Sequence, residues 1–157
     1  MIKYFTFGIS ISFISWIVGM IFNNILMKTE YYEKISNLNF IKNRKLNKTI
    51  GINQFKWIVK NTFFKFFNQK IKLENKNTDL IEIRKEMTIA EISHLIGFVF
   101  VTIIAIYMSV TKNYLYGPSI MIVNIIMNLY PSLLQQENKR RLDILIKRQA
   151  KTVANSK

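Results

Sequence analysis

The sequence predicts an all-α membrane protein: three transmembrane helices plus an amphipathic helix lying at the cytoplasmic-side interface. Tyr4 to Met27, Ile92 to Thr111 and Asn113 to Gln136 hold no Asp, Glu, Lys or Arg, and each could cross ~30 Å of hydrocarbon at about 1.5 Å per residue. The 23 Lys and Arg, against 9 Asp and Glu, gather almost wholly between and after these stretches. A net charge of +14 in a soluble domain would suggest nucleic acid, but half of this chain is hydrophobic and its charge is segregated. The expected organisation is a single membrane domain over residues 1–157. Its transmembrane helices fall at about 4–27, 90–111 and 114–135, the interfacial helix at about 50–69, and a basic cytoplasmic tail over 137–157.

The first apolar stretch starts close to Met1, yet its apolar run is about twice that of a secretory leader and it lacks a small-residue cleavage site. It therefore reads as a retained span. Gly8, Ser12, Ser15 and Gly19 recur at i, i+4, i+7 and i+11, and Asn23 extends that face by a turn. Small residues let helices approach closely in lipid, so the face is expected to pack against the other two spans. A substrate groove and association with another copy or another protein are the alternative uses of the same face.

Residues 28–88 carry fourteen of the cations and the tail from Gln135 carries seven, leaving Lys3 and Lys112. A pair of spans separates the two basic segments, so both lie on one side. The positive-inside rule makes that side the cytoplasm, with the N-terminus outside, and the expected location is a bacterial inner membrane. Anionic lipid headgroups are the expected partners of these cations, and nucleic acid is not expected. Within the first basic segment, Ile52, Phe55, Ile58, Val59, Phe63 and Phe66 fall on one arc of a helix. Asn53, Gln54, Lys56, Lys60, Asn61, Lys65 and Asn68 occupy the other, interrupted by Trp57 and Phe64. Residues 36–49 and 74–79 read as loops, and Leu80 to Lys85 is compatible with helix leading into the second span.

The second span opens with Glu86, Glu91 and His94. Glu91 and His94 are three apart and share a helical face about one turn inside the membrane. A carboxylate beside an imidazole can orient it and stabilise its protonated form, as a general base requires. The bland alternative is a capping box, Thr88-x-x-Glu91, with His94 as an interfacial side chain. One E-x-x-H supplies only two ligands, so no metal site is expected. Without cysteine there is neither a disulfide nor a thiolate nucleophile.

In the third span Asn124, Asn128, Pro131 and Gln135 fall at i, i+4, i+7 and i+11, and Asn138 with Arg141 or Leu142 continues the seam. Pro131 also frees the carbonyl of Met127. Interhelical amide bonding explains Asn124 well. Gln135, Asn138 and Arg141 are expected at the cytoplasmic level of Glu91 and His94, where convergent polar groups would suit the polar head of a lipid.

The run Glu86-x-x-x-Ala90-Glu91-x-x-His94, then Asn128 and a nearby proline, then Gln135-x-x-Asn138-Lys139-x-Arg141-Leu142, resembles the glycosyl-4,4'-diaponeurosporenoate acyltransferase family of staphyloxanthin-type carotenoid biosynthesis. The resemblance covers about residues 50–148. It departs from the family pattern at Lys139, where the family has Arg, at Pro131, one residue later than in the family, and at Glu137, where an aromatic residue is common. The resemblance implies a membrane acyltransferase that esterifies a hydroxyl of a glycosylated lipid or carotenoid with a fatty acyl group. Glu91 and His94 would be the acid–base pair, and Asn128, Gln135, Asn138 and Arg141 would contact substrate. Acyl-CoA or an acyl-carrier protein would be the donor, with no tightly bound cofactor. From the residues alone, a non-catalytic membrane subunit whose polar and small-residue seams dock other helices stands as the alternative.

Overall fold

The computed structural model describes residues 2–41, 44–62 and 79–155. Every regular element among them is helical: α1 (Ile2–Leu26), α2 (Tyr31–Ser36), α3 (Arg44–Thr49), α4 (Ile52–Asn61), α5 (Leu80–Thr111), α6 (Tyr116–Asn124) and α7 (Tyr130–Asn155). A π-helical turn, Ile125–Leu129, joins α6 to α7. Three runs are long and apolar enough to cross a membrane: α1, α5, and the continuous stretch Tyr116–Thr152. The predicted fold class therefore holds.

Two boundaries differ from the sequence reading. No Pro or Gly interrupts the chain between Leu80 and Ile96, so helix runs unbroken into the second span. Asp79 Oδ1 accepts the Ile81 N–H at 2.8 Å at its start. Thr88 consequently sits well inside α5 and donates its hydroxyl to the Arg84 carbonyl at 2.9 Å, which removes the capping-box reading of Glu91. In the first basic segment, α4 covers only the start of the expected interfacial helix, because Thr62 is extended. Residues 63–69, with Phe63, Phe64, Lys65, Phe66 and Asn68, lie outside the described residues, as do residues 74–78. Trp57 and Ile58 of α4 are exposed while Ile52 is buried. The expected loop over 36–49 contains α3.

The chain forms two compact units, one of residues 1–38 and 90–132, the other of residues 39–89 and 133–157. In the first, Gly8, Ser12, Ser15, Gly19 and Asn23 are all buried along α1, so the small-residue face packs against the chain's own helices. A Cβ on Gly8 would lie 3.3 Å from the Ile120 Cα. One on Gly97 would lie 3.0 Å from Asn128 Oδ1 and 3.1 Å from Ser15 Oγ. Close backbone approach of this kind is how spans associate without a hydrophobic driving force between them. Val101, Ala105 and Ile120 form the apolar centre, with Phe7, Ile11 and Met108 against it.

The predicted consequence of Pro131 is visible in the same unit. The turn ahead of it widens, and the Tyr130 N–H bonds the Ile125 carbonyl five residues back. The Met127 carbonyl accepts the Trp16 indole N–H at 3.4 Å from α1.

In the second unit, Ile83 and Met87 of α5 pack with Leu142 of α7, and Arg84 Nε meets Asp143 Oδ1 at 2.6 Å. Asn47 ties α3 to α7 by donating to Glu137 Oε2 at 2.6 Å.

Candidate functional site

An amide chain runs between the helices of the first unit. Asn128 Nδ2 donates to Ser15 Oγ at 3.0 Å and to Asn124 Oδ1 at 2.9 Å. Asn124 Nδ2 in turn reaches the Phe98 carbonyl at 3.0 Å and Thr102 Oγ1 at 3.2 Å. Asn124 is thereby committed to holding α5 and α6 together. Asn128 has a second task, because its side chain is within hydrogen-bonding reach of His94.

His94 is partly buried, and its ring stands edge-on to Trp16 with centroids 5.9 Å apart. Nδ1 is enclosed and makes no hydrogen bond among the described residues. The polar side chain that acts on the imidazole is the Asn128 amide. One turn before His94, Glu91 is fully buried. Enclosing a carboxylate opposes stability, which is why ionisable groups inside spans mark function more often than packing. Beside it, Asn23 Nδ2 donates to Ser93 Oγ at 3.2 Å, joining the end of α1 to α5.

The remaining candidates belong to the second unit. Gln135 is buried, Asn138 is half-buried, and Arg141 is exposed. On α7 the buried face runs through Ser132, Gln135, Gln136, Lys139 and Leu142. Leu142 therefore continues the seam and Arg141 does not, since 100° per residue carries Arg141 to the opposite side. Arg141 is held by Glu137 Oε1 at 2.9 Å, while Arg140 bonds the same carboxylate and reaches the Ile41 carbonyl at 2.9 Å. The Lys56 amine is held below the usual lysine range by burial first, then by the positive charges of Arg141 and Lys60. This is a cationic surface organised by one buried carboxylate, suited to phosphate or anionic headgroups.

Sequence reasoning missed several of these side chains. Glu137 was recognisable by its i+3 and i+4 spacing to Arg140 and Arg141. Gln136, which accepts the Phe40 N–H at 3.0 Å, and the buried Lys139 gave no such signal. Neither did Tyr32, whose hydroxyl is enclosed.

Among known families, residues 28–148 match the sequence model of glycosyl-4,4'-diaponeurosporenoate acyltransferase. No curated protein and no solved structure matches the chain. The matched region contains Tyr32 and every candidate from Glu91 to Arg141, and it begins just after α1 ends.

Proposed function

Because this chain belongs to the glycosyl-4,4'-diaponeurosporenoate acyltransferase family of carotenoid biosynthesis, we propose that it transfers a fatty acyl group to a hydroxyl of a glycosylated lipid or carotenoid. The family match over residues 28–148 carries this reading. His94 is the general base that takes the proton from the acceptor hydroxyl as its oxygen attacks the acyl carbonyl. An ester C–O bond forms, the thioester C–S bond breaks, and the proton returns to the departing thiol. Asn128 orients the imidazole, and Glu91 stabilises the positive charge that develops on it. The donor is a thioester of coenzyme A or of an acyl-carrier protein. In the second unit Arg141, with Lys56 near it, is suited to the donor's phosphates or to anionic lipid, and Gln135 and Asn138 offer amide groups to polar parts of a substrate.

The test is acyl transfer in membranes with and without the protein, followed as the appearance of an acylated glycolipid or pigment and normalised to protein amount. His94→Ala should lower turnover by ~10²- to 10⁴-fold. Glu91→Gln conserves volume and one acceptor oxygen but removes the charge, so it should lose turnover more than apparent affinity. Wild-type activity in His94→Ala would refute the mechanism, and wild-type activity in Glu91→Gln would remove the carboxylate from it.

A further inference from the structure

Trp16 lies on α1, ahead of the region that matches the family model, yet its side chain reaches the candidate catalytic histidine. The indole and the His94 imidazole stand perpendicular, at 87°, with centroids 5.9 Å apart. The indole N–H donates to the Met127 carbonyl at 3.4 Å. Pro131 has no N–H, so it cannot supply the usual helical bond to that carbonyl. One indole therefore touches both the imidazole of α5 and the main chain just ahead of the proline.

The indole is itself held by its surroundings. One residue earlier, Ser15 Oγ accepts a hydrogen bond from Asn128 Nδ2 at 3.0 Å. Three residues later, Gly19 lies against the Ser93 carbonyl, with no room for a Cβ between them. These two contacts fix α1 on either side of Trp16. Phe13 packs on the indole as well, with centroids 4.9 Å apart. The imidazole has less of its own to fix it, because its terminal torsion is broad and the plane of the ring is set by what it packs against. A general base must aim one nitrogen at a hydroxyl within hydrogen-bonding reach, and a fixed ring plane permits that.

We propose that Trp16 is a positioning residue for His94: anchored by its N–H on the carbonyl that Pro131 leaves free, the indole sets the plane of the imidazole that takes the acceptor's proton. The ring contact and its anchor stand on the geometry, and the catalytic consequence rests on the acyl-transfer reading. Trp16 touches no reacting atom and acts through His94.

Two measurements on the full chain in detergent test it. In kinetics, Trp16→Leu removes the ring and should lower kcat by up to about 10²-fold, with KM within about twofold of wild type. Trp16→Phe keeps a ring but deletes the N–H, so kcat should fall by about fivefold. Pro131→Ala gives the Met127 carbonyl a helical donor in place of the indole and should lower kcat by a similar factor. Because both substitutions break one bond, combining them should cost less than about twofold beyond either alone. Wild-type kcat in Trp16→Leu, or losses that multiply when Trp16→Phe and Pro131→Ala are combined, would overturn the proposal. So would a loss carried by KM and a lower unfolding temperature instead of kcat, the mark of packing alone. In nitrogen-15 NMR the two tryptophans give two indole N–H resonances, with the exposed Trp57 as internal reference. The Trp16 resonance should move in His94→Ala, which removes the ring current, and move upfield in Pro131→Ala, which weakens the hydrogen bond. A Trp16 resonance unmoved in either variant would overturn the proposal, whatever the activity. Absence of any acyl transfer by the wild type would overturn the acyltransferase reading and the positioning role together, while a responding resonance would still establish the contact.

Discussion

Gly19→Ala should force α1 away from α5. A Cβ at this position would overlap the Ser93 carbonyl oxygen, 2.9 Å from its carbon and 3.3 Å from the Ser93 Cα. Carbon atoms pack at ~3.5–4.0 Å, so the two backbones must part by roughly half an ångström or more. No side-chain rotation relieves this, because the obstructing atoms are main chain. The Asn23–Ser93 hydrogen bond, one turn further along α1, is already 3.2 Å long and would be lost. Overpacking costs about 1–3 kcal/mol and an interhelical hydrogen bond about 0.6–1.7 kcal/mol. Relieving glycine's helical penalty returns up to about 1 kcal/mol, which leaves a net loss of roughly 1–3 kcal/mol. At about 2–4 °C per kcal/mol for a chain of this size, Tm in detergent should fall by several degrees. Acyl transfer per folded protein should fall with it, since the same displacement moves Trp16 away from His94. Gly8→Ala is the control: its Cβ would meet Ile120 and Val123 no closer than 3.3 Å, a contact that small adjustments relieve. Wild-type Tm and activity in Gly19→Ala, or equal losses at Gly8, would refute the reasoning.

Glu137→Gln keeps an acceptor for Asn47 but leaves Arg140 and Arg141 without their shared negative charge. Because their side chains are 24% and 47% exposed, water takes up part of the loss. A fall of about 1–2 kcal/mol in unfolding free energy is expected, and an unchanged melting curve would contradict it. For orientation, the absence of native cysteine makes a single introduced one uniquely reactive. Lys151→Cys should resist an impermeant external thiol reagent in intact cells while Asn113→Cys reacts, and the reverse pattern would invert the topology.

The three spans, the small-residue face of α1 and the freed Met127 carbonyl were all legible in order of residue, because each follows from helical periodicity or from proline's missing N–H. The capping box was not decided by its motif. Thr88-x-x-Glu91 satisfies the pattern, but a helix that starts at Leu80 gives it no orphan amide to cap. On α7 the period left Arg141 and Leu142 both open. Packing against Ile83 and Met87 settles the choice for Leu142, because an apolar cluster excludes the guanidinium.

By itself, then, the sequence determined what is local or one-dimensional. It set which segments can enter lipid and which residues share a helical face, and it carried the polar motifs that place the chain in an acyltransferase family. Only the tertiary structure decided which polar groups meet. It put the Asn128 amide against His94, Trp16 on the carbonyl that Pro131 frees, Glu137 between two arginines, and the Asn23 amide on Ser93. Most of these pairs join separate helices, often tens of residues apart in the chain, and their partners are fixed by how closely the backbones approach. Glycines such as Gly19 and Gly97 permit that approach, and periodicity within one helix cannot report it.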